Sequence, residues 1–328
     1  MKHNKWILSG ILLAAISFAA NGLAADKLRI NVGYWPGNLE PELEDRFFKD
    51  DLLLGTNLSR YDLEWNNKHT DTIYPLGLQY FIEDVGPGDL VLGGNYIRYQ
   101  PDYEYAGLTL APALYLAELE DYKTTDWEGE VGYRYPVVPD TLYVTPRVGY
   151  RQHFKEFNYS EFSIGNGTLG ISLDSPFYAS ASGTYLGLEV QFYVMDQLSI
   201  IGDYISTVGL AGWDGSMNME RTTLGFSGNT AVLAYENAES GYTIDIQRWM
   251  LGIQYDITPE LHIQTGVREE TLKQSYPGYF GLPLIYSGGR FQANTIVEEF
   301  ITDYIFYEES ISQKKGMFFV AVSYDLNL

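Results

Sequence analysis

The stretch GMFFVAVSYDLNL, from Gly316 to Leu328, decides the predicted fold. From Phe318 onward every second residue is apolar or aromatic, and Ala321, Ser323, Asp325 and Asn327 between them are small or polar. Strict alternation of this kind predicts a β-strand with one apolar face and one wet face. The strand runs to the last residue of the sequence, and an unpaired strand edge recruits other chains. We expect a barrel, in which the last strand pairs with the first.

The opposite end of the sequence predicts an export signal. A short basic start precedes an apolar run from Trp6 to Ala20, and small residues follow it as far as Ala25. The run is too short to span a membrane as a helix, so the pattern is typical of a secretory signal peptide cleaved near Ala25. We predict a signal peptide over residues 1–25 and one domain over 26–328. A membrane-anchored N-terminus is the alternative.

Composition narrows the classes of function. The chain carries 43 acidic and 21 basic residues, for a formal charge of −22. This balance argues against nucleic acid as a partner, because nucleic-acid binding needs a basic surface. The sequence has no Cys, which excludes disulfides and thiolate metal or redox sites. After the signal, no apolar run reaches the roughly 20 residues of a membrane helix. A transmembrane barrel has no such continuous apolar run, since only alternate residues of each strand face lipid.

A recurring hairpin rhythm predicts about 12 antiparallel strands, with 10 to 16 left open. The longest connections follow Trp35, Phe154, Leu210 and Leu272, whereas the turns at Val138, Asp196 and Pro259 are short. All the long connections fall on one side of the predicted barrel and all the short turns on the other. Long outer loops and tight periplasmic turns are typical of outer-membrane barrels.

The segments between the clearly alternating strands are predicted to be loops or short hairpins. We expect a loop at Glu118–Thr124, which separates strands Tyr105–Ala117 and Thr125–Val137. Residues Lys155–Phe177 are expected to form a loop with a short strand pair, and 222–235 a hairpin turning at Ser227-Gly228-Asn229. Aromatic residues near strand ends suggest girdles at the membrane interfaces: Tyr34, Trp35, Trp65, Tyr74, Tyr99, Trp127, Tyr185 and Trp249.

The chain resembles a Gram-negative outer-membrane β-barrel protein. The resemblance rests on the signal peptide, the alternating hairpins and the terminal strand, which is similar to the assembly signal of that class. That signal usually ends in Phe or Trp, whereas this sequence ends in Leu328. The resemblance implies an all-β transmembrane barrel in the outer membrane, in contact with lipid, lipopolysaccharide and the barrel assembly machinery. A soluble periplasmic β-sandwich is the alternative fold, because alternating strands also build sandwiches.

Charged residues at inward positions are the candidate pore-lining residues. The set is Glu128, Glu130, Arg134, Arg147, Arg151, His153, Arg248, His262, Arg268 and Glu270. Antiparallel pairing is expected to place Arg134 near Tyr143, and Glu128 and Glu130 beside Arg147 and Arg151. A further group combines Arg29 with Arg60, Asp62 and Glu64, and Asp256 belongs with His262. These charges indicate either a constriction that selects solutes or pairs that fill the lumen and hold it rigid.

The predicted function is a porin-like passive channel for small polar or ionic solutes. The alternative is a closed structural or adhesive barrel that acts through long acidic loops, such as Glu40–Asp51 and Glu298–Glu309. An outer-membrane hydrolase is the weaker hypothesis, because His153 with Ser160 and Glu161 shows no recognisable catalytic spacing. No metal-ligand spacing is evident, so no metal or cofactor is predicted. The oligomeric state and the solute are not predicted.

Overall fold

A computed structural model describes the chain over 26–39, 64–65, 71–100, 105–109, 114–165, 168–207, 210, 212–227, 230–277, 284–288 and 308–328. Every element in these ranges is a β-strand. The fifteen strands are β1 Lys27–Leu39, β2 Glu64–Trp65, β3 Asp71–Ile73, β4 Leu76–Val85, β5 Gly88–Tyr99, β6 Tyr105–Thr109, β7 Leu114–Val138, β8 Leu142–Gly165, β9 Thr168–Met195, β10 Leu198–Ser206, β11 Trp213–Ser227, β12 Thr230–Asp256, β13 Leu261–Pro277, β14 Leu284–Gly288 and β15 Glu308–Asn327.

The strands form one antiparallel sheet that closes on itself. Neighbouring strands along the chain pair in turn, and β15 then pairs with β1, with Leu28 opposite Leu326 and Val32 opposite Val322. Two passes of the chain are interrupted. The β3 and β4 strands both pair with β1, and β10 and β11 both pair with β9 and β12. We count each crossing of the barrel from one end to the other as one pass of the chain. Twelve of the described strands therefore build the ring in ten passes, because β3 with β4, and β10 with β11, each form a single pass.

The predicted all-β antiparallel barrel is confirmed, as is its closure between the first and last strands. The expected count of about twelve agrees with the number of ring-forming strands, and the ten passes lie within the range of 10 to 16. The predicted hairpin at 222–235 is also present, because β11 and β12 pair up to Ser227 opposite Thr230. The predicted signal peptide, the Glu40–Asp51 loop and residues 298–307 of the second acidic loop lie outside the described residues, whereas Glu308 and Glu309 belong to β15.

Two predicted loops are instead strand. Residues 118–124 belong to β7, and residues 155–165 and 168–177 form the upper parts of β8 and β9. The β7 strand has a register shift between Glu120 and Lys123, where Asp121 has a φ of 53°. The extra residue of such a bulge moves the inward positions from even to odd numbers. The alternation therefore breaks in the sequence although the strand continues. The predicted single strand Tyr105–Ala117 is wrong, because Tyr105–Thr109 forms β6 and pairs antiparallel with the upper part of β7 from Leu114 onward.

Apolar side chains cover the outside of the ring. Leu251, Val267 and Phe318 face one another in register on three neighbouring strands and are 54%, 45% and 53% exposed. No helix among the described residues is long and apolar enough to cross a membrane. Closure removes the open edges that a β-sandwich would keep. A closed barrel with an apolar exterior and a charged interior is the architecture of bacterial outer-membrane proteins.

The two ends of the barrel differ. One end carries the short turns after β4, β7, β9 and β12, together with both ends of the described chain. Asp84, Gly86 and Asp140 there have φ values of 58°, 74° and 59°, as tight turns require. The other end carries the long connections. This asymmetry places the short turns in the periplasm and the long hairpins outside the cell.

Candidate functional site in the barrel interior

A charged layer crosses the barrel interior. It consists of Asp126, Glu128, Glu130, Arg147, Arg151, Asp203, Arg248, Arg268 and Glu270, which project inward from β7, β8, β10, β12 and β13. Arg151 lies at its centre and is 1% exposed. Its guanidinium donates to both carboxylate oxygens of Glu270, at 2.9 and 3.1 Å, and lies 3.0 Å from Asp126 and 3.3 Å from Glu128. One cation thus joins opposite walls of the barrel.

A second set of ion pairs continues this layer. Arg147 lies 3.1 Å from Glu130 and also bonds Asp203, and Arg248 donates to Glu128 at 2.8 Å. The hydroxyl of Tyr185 donates to Glu130 at 3.0 Å. Because β7, β8, β10 and β12 all contribute, the pairs bridge across the lumen as well as along adjacent strands. Buried charges need such compensation, since an isolated buried charge is strongly unfavourable.

Two other predicted residues have distinct partners within the barrel. Arg268 donates to Glu270 at 3.2 Å, and its guanidinium lies 4.1 Å from the ring centre of Trp35. The Nδ1 atom of His153 lies 2.7 Å from Asp126, and its Nε2 atom has no hydrogen-bond partner among the described residues. Ser160 and Glu161 lie further up β8, and the imidazole is paired with Asp126. Among the described residues no group of His, Asp and Glu is arranged to hold a metal ion.

The closing seam has its own ion pairs, close to the periplasmic end. Arg29 on β1 donates to both oxygens of Asp325 on β15, at 2.7 and 2.9 Å. His262 lies 2.9 Å from Asp325 and 2.6 Å from Asp256. The predicted group of Arg29 with Glu64 is wrong, because Glu64 lies on β2, which pairs with β6 beside the upper part of β7, whereas Arg29 lies near the periplasmic end of β1. Residues 60 and 62 lie outside the described ranges.

The predicted pore-lining residues all face the interior. Nine of the ten are buried, and Arg134 is the exception, with its side chain 23% exposed near the periplasmic end. Its guanidinium lies 3.9 Å from the ring centre of Tyr143 and donates to Gln191 at 3.2 Å. The expected neighbours of Arg134, Arg147 and Arg151 are therefore present. The side chains of these residues occupy the lumen at this level.

An aromatic layer lies on the extracellular side of the charged layer. Tyr99, Tyr122, Phe157 and Phe177 are all buried, and their rings follow one another with centroid separations of 6.2, 5.9 and 4.5 Å. The girdle predicted from strand ends is wrong for Tyr99 and Tyr185, which are 3% and 0% exposed. Both residues lie on inward positions of their strands. Proximity to a predicted strand end could not show which face they occupy.

A cavity of about 170 Å³ lies between the charged layer and the periplasmic turns. Its lining includes the arginines Arg29, Arg134, Arg147, Arg248 and Arg268, and the carboxylates Glu128 and Glu189. Amide side chains of Asn and Gln complete much of the wall. The cavity exceeds the roughly 10–15 Å³ that one water molecule needs, and is smaller than the roughly 300–1,000 Å³ of a drug-sized site.

Sequence reasoning missed part of the charged interior. Asp126, Asp203 and Asp325 were not among the predicted site residues, and neither was the buried Lys315. Asp126 has the same parity as Glu128 and Glu130, and Asp325 has the same parity as the buried Ser323. Alternation along each strand was therefore the signal that would have identified both carboxylates.

Comparisons with known proteins give weak similarity. No protein-family model and no curated protein matches the sequence. Among solved structures, the chain is similar to the P. putida toluene transporter TodX, with 10% identity over 96% of this chain and 92% of that one and a TM-score of 0.33. It is also similar to the CymD monoaromatic hydrocarbon channel, with 10% identity over 97% and 93% and a TM-score of 0.31.

Proposed function

We propose that the protein is an outer-membrane barrel that is closed to passive diffusion and acts through an extracellular extension of its sheet. The observation that carries the proposal is the double obstruction of the lumen. Arg151 and Glu270 join opposite walls, and the stacked rings of Phe157 and Phe177 lie above them. Barrels of about eight strands are filled by their side chains, and ten passes enclose only slightly more space.

The length of the strands supports the second half of the proposal. The β9 strand has 28 residues and β12 has 27. A strand needs about 9–11 residues to cross a membrane. Since the periplasmic turns directly follow both strands, the surplus extends from the opposite side of the membrane. The extension has a packed interior, in which Phe177, Trp213 and Leu272 are fully or almost fully buried. We expect this rigid wall to present the acidic loops to partners outside the cell.

The surroundings of the barrel follow from the same proposal. Outer-membrane lipid and lipopolysaccharide contact the apolar belt, and the barrel assembly machinery inserts the chain. A selective channel for small polar solutes is the second candidate function. The cavity on the periplasmic side favours it, because this space lies directly below the charged layer. In that case the layer forms the gate, and opening requires the Arg147 and Arg151 pairs to exchange partners.

Swelling of proteoliposomes distinguishes these functions. Vesicles that contain the folded protein are transferred to iso-osmotic solutions of glycine, of arabinose or of sodium gluconate. A closed barrel gives the swelling rate of empty vesicles for all three solutes. Rapid swelling with every small solute would reject the closed barrel in favour of a porin-like pore, and rapid swelling with one class alone would support the selective channel.

A further inference from the structure

We infer that the periplasmic cavity is a binding site for a small organic carboxylate that also carries hydroxyl or amide groups. The inference does not depend on the proposed function, because a cavity that binds solute can belong to a closed barrel or to a gated one. It rests on the distribution of charge around the cavity, on unused hydrogen-bond donors of buried arginines, and on the cavity's size.

The cavity wall is cationic although the chain is acidic. Five arginines and two carboxylates line the cavity, in a chain whose formal charge is −22. The carboxylates that compensate these arginines mostly lie behind them. Glu130 and Asp203 pair with Arg147, Glu270 pairs with Arg268, and Asp325 pairs with Arg29, yet none of these four acids contributes to the lining. The guanidinium groups therefore lie between the acids and the cavity.

Two of these arginines retain unused donors. The Nε atoms of Arg147 and Arg268 are buried and have no hydrogen-bond partner among the described residues. Arg268 is 8% exposed, and its one described acceptor is Glu270. Its guanidinium carbon lies 4.1 Å from the ring centre of Trp35. Buried donors are normally satisfied, so these two arginines keep hydrogen-bonding capacity that their described acids do not use. An arginine fork matches a carboxylate with two parallel hydrogen bonds.

The uncharged side chains that line the cavity indicate which groups the ligand carries besides its carboxylate. Amides from four passes of the chain face the cavity, including Asn31, Gln79, Asn95 and Gln264. An amide both donates and accepts hydrogen bonds, so it suits hydroxyl or amide groups on a ligand. At about 170 Å³ the cavity admits a small hydroxy acid or amino acid and excludes larger molecules. Glu189 at the edge is 29% exposed, which places this edge in contact with solvent.

Calorimetric titration of the folded barrel in neutral detergent tests the inference. The probes are L-malate, its uncharged diamide and the dication putrescine, in a buffer without carboxylates. We expect L-malate to bind with a dissociation constant of about 1 mM or lower, and the diamide and putrescine to bind at least tenfold more weakly. Equal binding of malate and its diamide, preference for putrescine, or no saturable binding of malate would each overturn the inference.

Two variants locate the binding in the cavity. Arg268→Gln is expected to weaken malate binding about tenfold or more, because it removes a charged donor. Arg98→Gln is the matched control, since Arg98 is exposed and does not line the cavity. Should Arg268→Gln fail to fold, Arg134→Gln at the more exposed edge replaces it. Equal malate affinity in the cavity variant and in the control would also overturn the inference. Vesicle swelling is measured separately, so failure of the closed-barrel proposal leaves this result interpretable.

Discussion

Arg151 and Glu270 lie 119 positions apart in the sequence and form a two-pronged salt bridge across the barrel, at 2.9 and 3.1 Å. The bridge links β8 to β13, which are not neighbours in the ring. Backbone pairing alone holds each strand to its two neighbours. This pair and its companions therefore add cross-lumen links that keep the ring from deforming.

Breaking this bridge is expected to cost substantial stability. Arg151→Gln leaves three buried carboxylates without their shared cation, and the expected loss is about 3–5 kcal/mol in the free energy of unfolding. Urea unfolding in detergent measures it, with Arg98→Gln expected to fall within about 0.5 kcal/mol of wild type. Adding Glu270→Gln to Arg151→Gln should cost less than the sum of the two single changes, because the partners depend on each other. Strict additivity would contradict the bridge.

The buried ring of Tyr185 packs against Gly149, at a position with no room for a larger side chain. A Cβ atom at Gly149 would lie 2.2 Å from the ring of Tyr185, which is fully buried and bonded to Glu130. Gly149→Ala is therefore expected to destabilise the barrel by about 1–3 kcal/mol, as overpacking does. Gly202→Ala is the control, since a Cβ atom there has nothing within 4 Å. Equal unfolding midpoints for the two variants would show that the interior is looser than described.

Depth in the membrane should determine the effect of a charge on the outer face. Leu251 is 54% exposed in the middle of the apolar belt, whereas Val85 lies at a periplasmic turn and is 41% exposed. Leu251→Arg is expected to cost about 2–4 kcal/mol in lipid, and Val85→Arg about 0–1 kcal/mol. Folding into lipid vesicles at increasing urea measures both. A larger cost at Val85 than at Leu251 would contradict the placement of the belt.

Thiol labelling of intact cells tests which end of the barrel is outside. The sequence contains no Cys, so a single introduced thiol has no background. Glu220→Cys lies on the exposed extension, and Asp196→Cys lies in a periplasmic turn. A membrane-impermeant maleimide too large for porins should label the first in intact cells and the second only after permeabilisation. The opposite pattern would invert the barrel.

Alternation along single strands was enough to predict the barrel, its seam and the inward position of the charged residues. The sets Leu186–Val194 and Trp249–Ile257 show the expected outward faces in the structure. Alternation fails where a bulge shifts the parity, as at Asp121, so the sequence predicts a loop over residues 118–124, where β7 continues. Contacts across the lumen were also beyond the sequence. The bridge from Arg151 to Glu270 depends on how the whole ring closes, and no local pattern encodes it.

Planar-bilayer recording of the folded wild-type protein tests the closed lumen most directly. The account predicts no stepwise conductance for the wild-type protein. Folding of the protein added to the bilayer is confirmed beforehand by the heat-dependent gel shift of folded barrels. It also predicts that shortening the aromatic layer and the charged layer together, with Phe177→Ala and Arg151→Ala, produces resolvable current steps. Frequent, uniform steps from the wild-type protein itself would contradict a closed barrel and restore the porin-like channel.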